Sequence, residues 1–164
     1  MKTLAIIWYS RTGGSRQLAE AAREGALDAA ESVDVRFLPA GEAGSQDLHD
    51  ADGYIFTCPE NLAAIAGEMK AFFDRTYYDV LGRIEGRPYA AIICAGSDGT
   101  NARGQLERIC TGWRLKRVAD TLIVNVNAQT KEEILAEKII GEADLATARE
   151  LGATLAAGLE MGVF

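Results

Sequence analysis

The sequence predicts an α/β protein built on a parallel sheet with helices on both faces. Five short apolar segments recur along the chain, and each is followed by a segment of helical periodicity. The chain has 164 residues, 48% of them apolar and 25% charged, which suits one compact domain that needs no disulfide or metal to fold. Only three prolines occur, without repeats, linkers or low-complexity tracts. We therefore expect a single domain over residues 1–164.

The first half of the chain carries three of the predicted strands. Thr3–Tyr9 is a continuous apolar run, as expected of a strand that is buried on both faces. Gly14–Ala30 places small and apolar side chains on one side of a predicted helix. Val33–Leu38 predicts the second strand, and Gly53–Cys58 predicts the third, which we expect to stop at Pro59.

The next elements are a helix, a strand and a second helix. Met69–Val80 has apolar side chains at helical spacing, and Gly82 follows as a C-terminal stop. Tyr89–Cys94 is the fourth apolar run. Asn101 is the expected N-cap of a helix that reaches Cys110 and is broken at Gly112.

The last third of the chain predicts one strand and two helices. Val118–Val126 is expected to form an uninterrupted fifth strand. Thr130–Glu133 has the pattern of a capping box that opens a short helix, and Glu142–Leu159 carries an apolar stripe at helical spacing. Alternation of strands and helices implies right-handed crossovers and therefore a parallel sheet.

Charge and hydropathy exclude several classes of partner. The net charge of −7 argues against general binding to nucleic acid or to anionic lipid. No apolar run approaches the ~20 residues that span a bilayer, and the N-terminal run is too short for a signal peptide, so we expect a cytoplasmic protein. Asn101–Arg117 contains four arginines and one lysine against a single glutamate. This stretch is interpreted as a solvated helix face or as a basic rim that attracts a phosphorylated small molecule.

The cysteines and the one histidine predict little chemistry of their own. Cys58, Cys94 and Cys110 form no CxxC pair, which suits reduced thiols in a cytosolic protein. A histidine-rich zinc site is not available, because His49 is the only histidine. Its polar surroundings indicate a surface loop.

The segment Ser10–Ser15 follows the first predicted strand and precedes the first predicted helix. Ligands of such sheets bind beyond the carboxyl ends of the strands. Glycines here allow backbone N–H groups to point inward, the helix N-terminus is positive, and hydroxyls and Arg11 add donors, so the segment is typical of a phosphate site. The alternative is a polar turn in which Ser15 caps the helix. Neither a Walker A motif, nor the GxGxxG spacing, nor a Cys-x5-Arg loop is present.

Two more segments end strands at the same predicted edge. Pro59–Ala63 follows the third strand and Ala95–Gly99 follows the fourth. Their small residues allow the backbone to approach a flat ligand and to offer N–H and C=O groups to its edge. Together with the phosphate site they predict a mononucleotide with a large planar ring.

In these segments the chain resembles the flavodoxin-like FMN-binding superfamily. Pro59–Arg75, with its run Met-Lys-Ala-Phe-Phe-Asp-Arg, is similar to the NAD(P)H-dependent FMN and quinone reductases, including the tryptophan-repressor-binding-protein type. The resemblance covers nearly the whole chain and implies a three-layer sandwich with a five-stranded sheet of order 2-1-3-4-5 that binds FMN. It places the phosphate in the first segment and the isoalloxazine ring between the other two. The implied cofactor-binding residues are Ser10, Arg11, Thr12, Gly13, Gly14, Ser15, Pro59, Glu60, Asn61, Leu62, Ala63, Ala95, Gly96, Ser97, Asp98 and Gly99.

The chain departs from flavodoxin electron carriers, which usually cover the ring with aromatic side chains from these loops. Neither loop here has an aromatic residue, and Leu62 stands where related reductases often have one. An uncovered ring face suits hydride transfer from a nicotinamide. Arg11 fits the reductases as well, or else is a solvent-facing arginine.

The sequence therefore predicts an FMN-dependent NAD(P)H oxidoreductase that reduces a quinone or a similar small acceptor. We expect N–H groups of Gly96–Gly99 to stabilise the reduced ring, with Glu60 and Asn61 as candidates to hydrogen bond the flavin or the second substrate. The relatives are often dimers or tetramers, so a homo-oligomer is expected. The alternatives are a flavodoxin-type electron carrier that serves a protein partner, and an interaction domain without flavin.

Overall fold

A computed structural model describes all 164 residues and shows a parallel sheet between two layers of helices. No helix is both long and apolar enough to cross a membrane. The strands are β1 (Lys2–Trp8), β2 (Val33–Pro39), β3 (Gly53–Asn61), β4 (Ala64–Ile65), β5 (Pro88–Ala95), β6 (Lys116–Arg117) and β7 (Leu122–Asn125). The helices are α1 (Gly14–Ala29), α2 (Ser45–Asp50), α3 (Gly67–Val80), α4 (Thr100–Gly112), α5 (Lys131–Leu135) and α6 (Glu142–Met161).

The sheet order confirms the predicted fold class. The strands run β2-β1-β3-β5, and both β6 and β7 pair with the free side of β5. All of these pairs are parallel. Strand β4 alone is antiparallel, and it forms a hairpin with the end of β3. With β6 and β7 taken together as the edge strand, the order is 2-1-3-4-5.

Two strand predictions are wrong in detail. The fifth strand is interrupted between β6 and β7, where the fully exposed side chain of Asp120 lies 3.8 Å from Arg117. Aspartate is disfavoured in strands because its carboxylate stays solvated. The third strand continues past Pro59 to Asn61. The carbonyl of Thr57 bonds β1, so Pro59, two residues on, faces the side where β1 has ended and no N–H donor is required.

Two helix predictions also need correction. His49 lies in the last turn of α2 and not in a loop, because Leu48 is buried and the Asp47 carboxylate accepts the Gly44 N–H at 2.8 Å. Asn101 is not the N-cap of α4, since Gly99 precedes its first residue and Asp98 accepts the N–H of Thr100. The stops at Gly82 and Gly112 and the capping box at Thr130 are confirmed.

Each face of the sheet has its own apolar core. Helices α1 and α6 cover one face, and α3 and α4 cover the other. Helices α1 and α6 approach so closely that a Cβ at Gly25 would lie 1.9 Å from the Arg149 carbonyl oxygen, and one at Gly152 would lie 1.8 Å from that of Ala22. Glycine is required at both contacts. This packing fixes α1, and so the loop before it, against the sheet.

Candidate functional site

The carboxyl ends of β1, β3 and β5 meet at one edge of the sheet and enclose a cavity of about 70 Å³. Residues from all three predicted segments contribute to its walls, together with residues that follow β7. The lining residues are Thr12, Pro59, Glu60, Asn61, Cys94, Ala95, Gly96, Val126, Ala128, Ile134 and Lys138.

The loop Ser10–Ser15 turns tightly into α1. Gly13 has a left-handed φ of 95° and donates its N–H to the Ser10 hydroxyl at 3.1 Å. Gly13, and not Ser15, is the N-cap of α1. The N–H groups of Gly14, Ser15 and Arg16, in the first turn, donate to no acceptor in the chain. The loop thus presents free amides at the positive end of a 16-residue helix.

Ser15 adds an unusual polar atom to this loop. Its side chain is buried, with a residue exposure of 2%, and its hydroxyl makes no hydrogen bond. The buried hydroxyl of Thr57 and the indole N–H of Trp8, which pair in register at the ends of β3 and β1, are also unpartnered. Buried polar atoms without partners are uncommon in folded proteins. The placement of the Ser15 hydroxyl in the same first turn of α1 as the free amides is the arrangement expected where an anion binds.

The second segment forms the tip of the β3–β4 hairpin. Leu62 and Ala63 have φ values of 51° and 60°, a left-handed conformation that costs non-glycine residues of order 1 kcal/mol each. Glu60 fixes the hairpin to α4, because its two carboxylate oxygens accept the N–H groups of Gly99 at 2.9 Å and Ala102 at 3.1 Å. Asn61 lines the cavity, whereas the Leu62 side chain is fully exposed.

The third segment keeps part of its hydrogen-bonding capacity free. The carbonyls of Ala95 and Gly96 accept N–H groups from the chain after β7. The N–H groups of Gly96, Ser97 and Asp98 donate to no acceptor in the chain, but that of Gly99 is taken by Glu60. Of the four amides expected to face a ligand, only three are available.

The sequence did not indicate that residues 127–141, which we call the strap, lie across the first loop. The Lys138 N–H donates to the Thr12 carbonyl at 2.8 Å, and the Lys138 carbonyl accepts from the Gln17 side chain at 2.7 Å. Helix α5 and its capping box belong to the strap. Gln17 and Lys138 are 121 residues apart, so no local pattern could reveal their contact.

The basic residues and the thiols contribute less charge and reactivity to this site than the sequence analysis had left open. Arg11 is exposed and makes no ion pair, whereas Arg117, in the basic stretch, pairs with Glu107 at 2.7 Å. All three cysteines are free and buried. Burial raises the pKa of Cys94 in the cavity wall to about 11, so its thiol is neutral at pH 7. No three His, Cys, Asp or Glu side chains are grouped so that they could hold a metal ion.

A larger cavity of about 580 Å³ lies between α3 and α4. None of the predicted site residues lines it. The strand-end cavity, in contrast, is lined by residues of all three predicted segments, and we therefore take it as the candidate site.

Comparison with known proteins identifies the family to which the chain is similar. The model of the family described as NADPH-dependent FMN reductase matches residues 22–129. A protein named flavodoxin from Aquifex aeolicus is 34% identical over 110 residues, which cover 67% of this chain and 57% of that protein. An NAD(P)H dehydrogenase (quinone) from Acidithiobacillus ferrooxidans is 33% identical over 46% of this chain and 48% of its own length. The chain spans about half the length of these curated relatives.

Solved structures match the fold along the chain. A flavodoxin from the domain Archaea has a TM-score of 0.76 at 16% identity and covers 96% of this chain and 99% of its own. A WrbA-like protein from Agrobacterium tumefaciens has a TM-score of 0.67 at 16% identity and covers 99% of both chains. At these identities the likeness shows the fold alone.

Proposed function

We propose that this chain, which belongs to the NADPH-dependent FMN reductase family, binds FMN and uses NAD(P)H to reduce a quinone or a similar small acceptor. The observation that carries the proposal is the set of unpartnered hydrogen-bond donors in the first loop. There, three free amides of the α1 N-terminus lie beside the buried, unpartnered hydroxyl of Ser15. A phosphate ester would satisfy these donors.

The residues present fit the phosphate end of FMN. The strand-end cavity of about 70 Å³, which Thr12 of this loop lines, is several times the roughly 10–15 Å³ that one water needs, enough for a phosphate group. It is well below the roughly 300 Å³ of pockets that enclose a whole small ligand. The ring system would therefore extend into the mouth of the site, between the β3–β4 hairpin and the strap. We assign the phosphate to Ser10–Ser15, and the ring to Pro59–Ala63 and Ala95–Gly99.

The flavin supplies the redox chemistry, and this chain's residues supply binding, orientation and charge. Free N–H groups of Gly96, Ser97 and Asp98 would stabilise negative charge on the edge of a reduced ring. Gly99 makes no such contact while its N–H is bound to Glu60. We propose no side-chain acid or base, because the carboxylate of Glu60 is occupied by two amides and Cys94 is a neutral thiol at pH 7.

Access for a nicotinamide favours the reductase. No aromatic side chain belongs to either loop that would flank the ring, so the chain itself leaves room for a second planar group to stack. Exposed apolar side chains lie on the hairpin and on the strap, which flank the site, and we propose that an acceptor or a second copy of the chain covers them. They are Leu62, Ile134, Leu135 and Ile139.

A one-electron carrier for a protein partner is the second candidate function. It is favoured by the similarity to the Aquifex aeolicus flavodoxin and by the net charge of −7, since acidic surfaces steer basic partners.

Anaerobic mixing of the FMN-loaded protein with NADPH separates the two functions. We expect the flavin absorbance to bleach rapidly, with reoxidation when a quinone is added. A flavin that stays oxidised with NADPH and NADH, yet is stably reduced by one electron in light, would establish the carrier instead. A colourless protein that takes up no FMN would refute both and leave an interaction domain.

A further inference from the structure

We infer that Gln17 is a positioning residue that holds the strap closed over the phosphate loop, so that FMN is a resident group and not a substrate exchanged at each turnover. The inference rests on the proposed binding of FMN. It concerns the rates at which the cofactor enters and leaves.

Gln17 joins the loop and the strap through one side-chain amide. Its Nε2 donates to the Gly13 carbonyl at 3.0 Å and to the Lys138 carbonyl at 2.7 Å, and its Oε1 accepts the Ile140 N–H at 3.0 Å. A carboxamide is suited to this role because it carries donors and an acceptor on one planar group. No other side chain in the first turns of α1 hydrogen bonds the strap.

The strap is an ordered unit and not a loose loop. Its helix α5 has a capping box at Thr130, and the Lys138 ammonium donates to the carbonyls of Glu133 at 2.8 Å and Ile134 at 3.0 Å. The strap can therefore move as one piece.

Few contacts hold the strap against the rest of the protein. Between the buried Ala128 and Ile140, every side chain except the half-buried Lys138 is exposed. Near its C-terminal end the strap is fixed to the first loop by the Lys138–Thr12 bond and by the bonds of Gln17. Segments with so little buried surface open at low free-energy cost. The buried Ala128 and Ile140 mark the two ends of this exposed stretch.

The strap closes one side of the candidate site against the first loop. A Cβ placed on Gly14 would lie 3.5 Å from the Lys138 Cβ, so the strap is in van der Waals reach of the loop. Ala128, Ile134 and Lys138 form one wall of the phosphate-sized cavity. In the proposed gate, a phosphate carrying a three-ring group passes when this wall moves. Opening therefore precedes both binding and release.

A gate and a ligand contact have different kinetic signatures. Loss of a contact to FMN accelerates release and leaves association unchanged, whereas loss of a latch accelerates both steps.

Stopped-flow fluorescence of FMN measures both rates for the wild type, for Gln17→Met and for the control Gln46→Met. Methionine keeps the length and helix propensity of glutamine but not its hydrogen bonds. Gln46 is an exposed glutamine on α2 that neither lines the cavity nor bonds the strap.

We expect both rates to rise about tenfold in Gln17→Met, with a Kd within about threefold of the wild type, and no change in Gln46→Met. Faster release at an unchanged association rate, or two unchanged rates, would overturn the inference.

Amide hydrogen exchange tests the latch without flavin. The Ile140 N–H, which donates to Gln17, should exchange about tenfold faster in Gln17→Met than in the wild type or Gln46→Met. Unchanged exchange would show that Gln17 does not hold the strap. A wild-type protein that takes up no FMN would refute the proposed function and residency together, and the exchange result would still decide the role of Gln17.

Discussion

The hydroxyl of Ser15 and the carboxylate of Glu60 belong to two loops beside the same cavity, and they differ in whether their hydrogen bonds are complete. Glu60 is satisfied by the amides of Gly99 and Ala102, so it acts as a tie between the hairpin and α4. Ser15 is buried without a partner, which costs roughly 1–3 kcal/mol. A ligand that accepts from Ser15 recovers that energy on binding.

Carboxylates placed in the first loop should expel a phosphate. We expect Thr12→Asp with Ser15→Asp to weaken FMN binding at least about 100-fold, about 2.8 kcal/mol, because two added negative charges face a dianion. Equilibrium dialysis with FMN measures the loss, and circular dichroism reports folding.

Two further variants serve as controls for this prediction. Thr147→Asp with Thr154→Asp adds the same charge on an exposed face of α6 and should leave binding unchanged. Thr12→Asp alone, at a half-buried position, covers the case in which the double variant does not fold. Full affinity for FMN in folded loop variants would remove the phosphate assignment.

Helices α1 and α6 position the first loop through their close contact. The carbonyl of Ala22 occupies the place that a side chain on Gly152 would need, and the carbonyl of Arg149 does the same opposite Gly25. Helix α4 and the hairpin form a second pair, joined by Glu60 and by the Gln105 side chain, which accepts the Ile65 N–H at 2.9 Å. Each loop of the site is therefore held in place by contacts that involve a helix.

Gly152→Ala should destabilise the protein by about 3 kcal/mol, since α1 and α6 must separate to admit a methyl group. Urea denaturation measures the change in the free energy of unfolding. Gly104→Ala is the matched control, because its Cβ meets nothing within 4 Å on α4 and should stabilise by up to about 1 kcal/mol. Equal effects of the two variants would contradict the packing argument.

The surface of the molecule is acidic in sum, but its exposed apolar side chains include a group at the mouth of the site. Leu62 and Ile139 are 101% and 92% exposed, on the hairpin and the strap respectively. Large apolar side chains that remain in water beside a cavity favour a covering partner. The expected homo-oligomer stays a prediction, and this rim is where we place its contact.

Light scattering tests that placement. We expect the wild type to self-associate, and Leu62→Ser with Ile139→Ser to weaken association about tenfold or more by removing apolar contact area. Met161→Ser with Val163→Ser removes exposed apolar side chains at the C-terminus in the same way and should leave self-association unchanged. A monomeric wild type at high concentration would exclude the oligomer.

The sequence determined the order of strands and helices and the strand ends at which the candidate site lies. Apolar runs such as Thr3–Tyr9 and helical spacing such as Met69–Val80 are periodic over a few residues, so local pattern suffices to read them. Order 2-1-3-4-5 came from the resemblance and is confirmed. The residues proposed to hold FMN stay predictions, as does the single domain over residues 1–164.

Tertiary structure alone decided what lies over and between these loops. It placed the strap on Thr12, gave the Gly99 amide to Glu60, and left Ser15 buried without a partner. Each of these depends on a group far along the chain or on packing all round a side chain. Local periodicity carries no information about such contacts, because hydrogen bonds across 121 residues are set by how the layers pack and not by neighbouring sequence.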